Sequence, residues 1–181
     1  MLHAMGVVFS AVPSGFDEPA HNGAQAPEDY VRSNAQGKAL QVAGRFGGEL
    51  VIGADTVVAY RRRVMGKPAN EREAFSSLRL LAGKTHAVYT GLALVDTGDG
   101  SVQTDCAKTL VRFRNLTDRE ISSYLARINP LDKAGAYAIQ DEGAIIVSGI
   151  KGCYYNVMGF PVSLFEGMLM RRGASLFDYM K

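Results

Sequence analysis

The feature that most constrains the fold is the stretch ELVIGADTVVAY (residues 49–60), a nearly unbroken apolar run that contains one aspartate, Asp55. A run of this kind is typical of a strand that is covered on both faces. A carboxylate inside such a strand carries a desolvation cost. Asp55 therefore needs either hydrogen bonds from neighbouring backbone amides or a chemical use. A place at a strand's end, where α/β sheets tend to bind ligands, supports the second interpretation, and the first stays open.

The rest of the chain combines strands and helices, which predicts an α/β or α+β domain. Apolar patterns bounded by turn residues predict further strands at 7–12, 86–96, 101–113 and 143–150, and a short return strand at 64–68. Helix-opening signals predict helices that begin at Pro27, Asn70, Thr117 and Pro161. With 181 residues the chain can bury one substantial core, whereas two domains would be cramped. We therefore expect a single domain over residues 1–181.

Composition excludes several classes of function. The formal net charge of +2 is well short of the dense basic patches that bind nucleic acid. No apolar run approaches the ~20 residues of a membrane span, and the N-terminus lacks the pattern of a signal peptide. Cys106 and Cys153 are far apart with no CxxC pattern, and the histidines are scattered. We therefore expect a cytoplasmic protein with free thiols and no nucleic-acid partner, membrane partner or histidine-based metal site.

Two cationic motifs suggest phosphate binding but are better explained otherwise. Gly83-Lys84-Thr85 matches the end of a P-loop, yet Leu78 stands where that motif requires a glycine, and the order of helix and strand is reversed. A helix C-cap followed by a strand explains it better. The triplet Arg61–Arg63 is explained better as a solvated hairpin tip than as a phosphate grip.

A separate set of polar residues suits a metal-bound phosphate. Asp17 and Glu18 follow an early strand, and a carboxylate from this loop could meet Asp55 to hold Mg²⁺, a hard ion that prefers oxygen ligands. Ammonium and amide groups come from Lys38, Lys67, Lys133 and Gln140. Lysines beside paired carboxylates suggest a phosphorylated substrate. The residues alone thus indicate Mg²⁺-dependent phosphate chemistry, with loop acids that merely face solvent as the alternative; Mn²⁺ is not distinguished from Mg²⁺.

Five stretches occur in the order and spacing typical of the Maf family: GADTVV, GKP, LAGKTHAVYTGLAL, PLDKAGAYAIQ and GCYYNVMGFP. From about Gly6 to Arg172 the chain resembles these cytoplasmic nucleoside-triphosphate pyrophosphatases, which are related in fold to the inosine-triphosphate pyrophosphatases. The resemblance implies an α/β fold with an elongated mixed sheet flanked by helices and two lobes around a cleft. It also implies hydrolysis of a nucleoside triphosphate between the α and β phosphates, which yields the monophosphate and pyrophosphate.

The resemblance also implies roles for individual residues. Asp55 would be the catalytic proton acceptor and a metal ligand, and Glu18 its acidic partner at the metal. Lys38 and Lys67 resemble phosphate-binding lysines, while Thr56 and Gln140 match positions tied to the choice of base. Lys133 joins the substrate-binding candidates because the Ala-Gly-Ala that follows allows close backbone approach to a ligand. The pairing of ADT with AIQ resembles the branch that acts on dTTP and UTP.

The chain departs from the family pattern at its start. A Ser-x-Ser-Pro-Arg-Arg loop that cradles phosphate is missing ahead of MLHAMGVVF, so we expect an N-terminally truncated form whose native start lies upstream of Met1 and whose activity is weak. Two alternatives stay open. One is the same reaction on another, modified nucleotide; the other is a non-catalytic nucleotide-binding regulator of septation. The resemblance allows a homodimer, which the residues do not decide.

Overall fold

A computed structural model describes residues 1–61 and 63–181, so the predicted hairpin tip at Arg61–Arg63 lies partly outside the described residues. The helices are α1 Pro27–Ala43, α2 Glu71–Leu81, α3 Asp118–Leu125, α4 Gly143–Ile146, α5 Tyr154–Val157 and α6 Val162–Met170. The strands are β1 Leu50–Tyr60, β2 Arg63–Met65, β3 Thr85–Asp96, β4 Val102–Phe113 and β5 Val147–Lys151. Short 3₁₀ helices span Leu2–Met5, Ala134–Ala136 and Leu176–Tyr179. The predicted α/β class is confirmed. None of the described helices has the length and apolar character needed to cross a membrane.

The strands form one sheet in the order β2-β1-β3-β4-β5. Its four pairings among the described residues are all antiparallel, where the family resemblance implied a mixed sheet. β2 pairs only with Val58–Tyr60 of β1. In the described part of the chain, the edge of β1 from Leu50 to Val57 therefore has no strand beside it, and this open edge is available to line a cavity.

Strand periodicity divides the residues of β1 between the two faces of the sheet. Odd-numbered residues such as Val51 and Val57 pack against α1. Even-numbered residues pack into two other clusters: Ile52 lies in the cluster that contains α6, and Val58 lies in the cluster that contains α2 and α3. Neighbouring residues of this strand consequently meet entirely different surroundings.

Helix α1 approaches the sheet closely because the residues between them are very small. A Cβ atom added to Gly53 would lie 2.1 Å from the carbonyl oxygen of Ala35, and one added to Gly91 would lie 2.3 Å from that of Val31. Gly91 is the cross-strand partner of Asp55. A side chain at either glycine would force the helix away from the sheet. The two glycines thus bring α1 directly over Asp55.

Three of the predicted strands are wrong in part. The return strand predicted at 64–68 is β2, which ends at Met65. Within residues 7–12 only Val7 forms a β-bridge, to Met180, and Val8 and Phe9 are exposed; the short apolar stretch carried no information about a partner strand. Residues 143–146 form α4, because successive backbone N–H groups there donate to carbonyls three residues earlier, and β5 begins only afterwards. The predicted strands at 86–96 and 101–113 and the helix end before Gly83 are confirmed.

Candidate active site

A cavity of about 650 Å³ runs along the open edge of β1. Five consecutive residues of that strand, 54–58, line it, and since their side chains alternate between faces, they can share one cavity only along the strand edge. The volume is typical of a site for a small molecule. The cavity also brings together every residue predicted for metal or substrate binding: Glu18, Lys38, Asp55, Thr56, Lys67, Lys133 and Gln140. The other loop acid, Asp17, is exposed and does not line it.

Asp55 is held by two residues of α1 that lie one helical turn apart. It is 7% exposed, so its carboxylate has little contact with water. Lys38 Nζ donates to Asp55 Oδ1 at 2.6 Å, and Asn34 Nδ2 donates to Asp55 Oδ2 at 3.1 Å. Charge-assisted hydrogen bonds of this kind offset the cost of burying a carboxylate. These donors come from side chains, whereas the structural explanation considered from the sequence relied on backbone amides.

Lys38 also joins Asp55 to the acidic loop, because its Nζ lies 2.7 Å from Glu18 Oε1. We call Glu18, Lys38 and Asp55 the Lys38 cluster. Burial acts to lower the pKa of the Lys38 ammonium, but its hydrogen bonds to Asp55 and Glu18 outweigh burial and raise that pKa above its ordinary value. Lys38 therefore remains charged and is unsuited to act as a base, so the groups of the cluster that could accept a proton are its two carboxylates, of which that of Asp55 is buried.

The loop that carries Glu18 is fastened to α1. The Tyr30 hydroxyl donates to the carbonyl oxygen of Pro19 at 2.8 Å. The ring of Phe16 packs on Gly37, where a Cβ atom would lie 2.4 Å from the ring carbons. Both contacts flank Glu18 in the sequence, so the same helix positions both acids of the Lys38 cluster.

Thr56 lies on the opposite face of β1, and its side-chain hydrogen bond there is to a neutral hydroxyl. Its Oγ1 is 2.9 Å from Thr90 Oγ1, and Thr90 Oγ1 donates to the backbone carbonyl of Asn156 at 3.1 Å. Thr90 is fully buried and belongs to β3, the neighbouring strand. Gln140, the second residue predicted to select the base, is exposed and forms no hydrogen bond to Thr56 within the described residues.

The segment around Asn156 is anchored by its own buried side chain. Asn156 Nδ2 donates to the carbonyl oxygen of Val88 at 3.1 Å and to Thr109 Oγ1 at 3.0 Å. Thr109 Oγ1 in turn accepts from the N–H of Cys153 at 3.0 Å and donates to its carbonyl at 3.1 Å. This network fixes 153–156 against the sheet, and the residues that follow, 157–159, line the cavity.

Lys67 and Lys133 reach the cavity from two segments that are joined to each other. The backbone N–H of Gly135 donates to the carbonyl oxygen of Gly66 at 3.0 Å. Lys133 forms an ion pair with Asp132 at 3.0 Å. In the part of the chain that the structure describes, neither lysine makes an ion pair with the Lys38 cluster. They are therefore separate cationic groups on the cavity wall.

Three polar residues of the site were not predicted from the sequence: Asn34, Thr90 and Asn156. Each is buried, with exposures of 1%, 0% and 0%. For two of them the sequence contains a pattern that could have identified them. Asn34 lies between Val31 and Lys38 on the helix face that meets the sheet, and Thr90 interrupts the apolar strand HAVYTGLALVD. A polar residue at a position that the periodicity marks as buried requires a partner.

The residues of the Lys38 cluster fit a divalent cation that arrives with a phosphate. The donors are all oxygens: the carboxylates of Glu18 and Asp55, and beside them Asn34 Oδ1, which is buried and has no partner in the described residues. Among those residues there is no group of three or more His, Cys, Asp or Glu that would make a self-sufficient metal cage. Mg²⁺ is usually bound by one or two carboxylates together with substrate phosphates and water, so this donor set is adequate.

Comparison with known proteins identifies a family. The family of Maf-like proteins matches residues 1–172. The chain is 47% identical over 156 residues to the dTTP/UTP pyrophosphatase of Clostridium perfringens, a match that covers 86% of this chain and 81% of the relative. It is 40% identical over 171 residues to that of Clostridium botulinum (93% and 88% covered) and 38% identical over 176 residues to that of Dictyoglomus turgidum (97% and 91% covered).

Proposed function

This chain belongs to the Maf family, and on that premise we propose that it is a nucleoside-triphosphate pyrophosphatase that converts dTTP and UTP to the monophosphate and pyrophosphate. The observation that carries the proposal is the buried carboxylate of Asp55, held by Lys38 and Asn34 in the wall of a cavity of nucleotide size. The names of its relatives support the choice of dTTP and UTP.

The charges of the cavity suit a triphosphate that brings a cation with it. Its wall contains three carboxylates and three ammonium groups: Glu18, Asp55, Asp132, Lys38, Lys67 and Lys133. These formal charges cancel, so a triphosphate would add uncompensated negative charge. Glu18 and Asp55 would hold Mg²⁺, or Mn²⁺ in its place. Such an ion, when bound, neutralises phosphate charge and acidifies a coordinated water.

Within this site the protein groups have distinct tasks. Asp55 accepts the proton of the water whose oxygen bonds to phosphorus as the anhydride between the α and β phosphates breaks, and pyrophosphate leaves with the bridging oxygen. Lys38 holds the carboxylates of Glu18 and Asp55 in place through its two ion pairs. Lys67 and Lys133 bind phosphate oxygens and stabilise the charge that develops on them. Thr56 and Gln140 contact the base.

The proposal extends to the cell compartment. We place the protein in the cytoplasm, where nucleoside triphosphates are abundant and thiols stay reduced, and the free thiols of Cys106 and Cys153 support this. A homodimer stays a prediction, which sedimentation equilibrium would test.

A substrate panel tests the function. Purified protein is incubated with Mg²⁺ and each of dTTP, UTP, dCTP, CTP, dATP and GTP, and the products are separated by anion-exchange chromatography. We expect kcat/KM for dTTP and UTP to exceed that for the purine nucleotides by at least about tenfold, with monophosphate and pyrophosphate formed in equal amounts. Release of orthophosphate, or equal rates for all six nucleotides, would refute the proposal.

Removal of the metal tests the cofactor. Dialysis against EDTA should abolish pyrophosphate release, and Mg²⁺ or Mn²⁺ should restore it. The chelated protein should keep its melting temperature, because the Lys38 cluster is satisfied by its own ion pairs. Full activity in the presence of EDTA would exclude the cation from the mechanism.

A further inference from the structure

The direction of the hydrogen bonds behind Thr56 determines what Thr56 can recognise. A hydroxyl has one hydrogen to donate and two lone pairs to accept with. Thr90 gives its only hydroxyl hydrogen to the backbone carbonyl of Asn156, which can only accept. The 2.9 Å contact between Thr56 Oγ1 and Thr90 Oγ1 must then use the hydrogen of Thr56. Thr56 is left with lone pairs and no hydrogen for a ligand.

The far end of this chain of hydrogen bonds is rigid. The Asn156 carbonyl cannot turn away from Thr90, because the side-chain amide of the same residue is bonded to Val88 and Thr109 within the core. Thr90 and Asn156 are both fully buried, so no water replaces either partner. The polarity of the Thr56 hydroxyl is thus set by groups that the ligand does not touch.

The surroundings of Thr56 suit a base rather than a phosphate. The Lys38 cluster lies on the other face of β1, toward α1, whereas the wall on the side of Thr56 includes Val157, Met158 and Gly159. A Cβ atom on Gly159 would lie 3.5 Å from Thr56 Oγ1, so this segment passes directly beside the hydroxyl. An uncharged planar ring fits beside the hydroxyl among these residues, and the phosphates fit beside the Lys38 cluster. Lys133 enters the cavity farther along the strand, where Gly135 packs against Val58.

We propose that Thr90 is a specificity-determining positioning residue, which makes Thr56 an obligate hydrogen-bond acceptor and thereby favours a pyrimidine with a protonated N3. This inference rests on the proposed hydrolysis of dTTP and UTP. Thymine and uracil present an N3–H donor flanked by two carbonyls, whereas N3 of cytosine is an acceptor. An acceptor at Thr56 pairs with the first and sets two lone pairs against each other with the second.

The test measures discrimination rather than rate. For the wild type, Thr90→Val, Thr90→Ser and Thr109→Val, kcat/KM is measured with dTTP and dCTP under identical conditions. Thr90→Val frees the Thr56 hydroxyl to donate, so the ratio of kcat/KM for dTTP over dCTP should fall about tenfold, equivalent to about 1.4 kcal/mol. Thr90→Ser keeps the hydroxyl and should retain the wild-type ratio within about threefold.

Thr109→Val is the matched control. It removes a buried hydroxyl that holds the same Asn156 segment, but leaves the contact between Thr56 and Thr90 intact. It should lower the melting temperature without changing the ratio. Should Thr90→Val fail to fold, Thr56→Val removes the acceptor itself at a partly exposed position and should abolish the preference for dTTP.

Failure of this inference differs from failure of the proposed function. An active wild type whose ratio is unchanged in Thr90→Val overturns the role of Thr90 alone. An equal fall of the ratio in Thr109→Val also overturns it, because loosening of the wall would then explain the effect. A wild type that releases no pyrophosphate from either nucleotide refutes the proposed function and, with it, this inference.

Discussion

Asp55 and Thr56 are neighbours on one strand, yet the two faces of the sheet treat them in opposite ways. On the α1 face, Asp55 lies in a network of charges with Lys38 and Glu18. On the other face, Thr56 opens a chain of neutral hydrogen bonds through Thr90 to the Asn156 backbone. Both residues line the same cavity, because that cavity runs along the strand edge.

One strand can serve two tasks because its two faces meet different partners. A charged network needs close donors to offset desolvation, and a helix supplies them from successive turns. A neutral network avoids that cost and fixes hydrogen-bond polarity instead. Under the proposed function the first arrangement serves the phosphates and the second serves the base. Substitutions on one face should therefore affect activity and stability differently from substitutions on the other.

The largest effect should come from Asp55→Asn, which removes the proton acceptor and keeps the shape. We expect kcat for pyrophosphate release to fall about 10³-fold, within the usual range for loss of a general base. The fold should persist, which circular dichroism would verify. Asp105→Asn is the control, because Asp105 pairs with Arg171 and does not line the cavity. A variant with normal turnover would assign Asp55 a purely structural role.

Gly91→Ala should separate α1 from the sheet. The added Cβ would meet backbone atoms of Val31 and Arg32, which cannot swing aside as a side chain tip can. We expect the free energy of unfolding to fall by about 3 kcal/mol, the upper end of typical overpacking costs. Pyrophosphate release should also fall, because Lys38 would be displaced from Asp55.

Gly149→Ala provides the comparison for that variant. Gly149 lies in β5 of the same sheet, and a Cβ atom there would meet nothing within 4 Å. Its urea midpoint and activity should match the wild type. If Gly91→Ala were as stable as Gly149→Ala, the close approach of α1 to the sheet would not be what positions the Lys38 cluster.

His86, which lies on the same face of the sheet as Thr56 and Thr90, should make stability depend on pH. His86 is 2% exposed, accepts from or donates to the Tyr137 hydroxyl at 2.9 Å, and has its pKa lowered by burial to about 4 from an ordinary 6.5. Between these values the unfolded chain binds a proton that the folded chain does not. Stability therefore falls as pH drops from 6.5 through 4, by up to about 3 kcal/mol.

Two substitutions check this assignment by urea denaturation at pH 4.5 and pH 7. His86→Phe removes the titrating ring and should reduce the difference between the two midpoints. Tyr137→Phe removes the hydrogen bond but keeps the burial, so it should preserve most of the difference. If the two midpoints of His86→Phe differed as much as those of the wild type, His86 would not be the source of the pH dependence. The folded protein would then tolerate a protonated imidazole at this position.

Local patterns predicted the elements of the fold well. The alternation in 86–96 and 101–113 and the capping box of Thr117 with Glu120 depend on residues near each other in sequence, and each is present. The strand proposed at 7–12 depended on a partner elsewhere in the chain, and no local signal reports one. No local pattern distinguishes the glycines at 53 and 91 from other strand residues, because the helix that packs on them is distant in the sequence.

The residues of the candidate site also fall into those that the sequence predicted and those that only the packing shows. Asp55 lies at the middle of β1 and not at the predicted strand end, but the open edge of the strand still places it in the cavity. The family motifs led to seven residues that share this cavity. Asn34 and Thr90 were missed, because a polar residue inside an apolar pattern indicates that a partner exists without identifying it. Only the packing of α1 and β3 on β1 shows that these partners are Asp55 and Thr56.

The smallest effect should come from Asn34→Leu, which removes one of the two donors to Asp55. A carboxylate held only by Lys38 at Oδ1 can rotate about its last bond, whereas Asn34 at Oδ2 fixes its plane. Loss of a hydrogen bond to a charged group should lower kcat about 30-fold, or about 2 kcal/mol, with KM little changed. The melting temperature should not fall, because leucine also removes the unpartnered Asn34 Oδ1.

Val42→Ala, a buried truncation on the same helix, should show the reverse, with lower stability and normal kcat. If the two variants lost stability and turnover in the same proportion, Asn34 would be part of the packing of α1, and the charged face would depend on Lys38 alone.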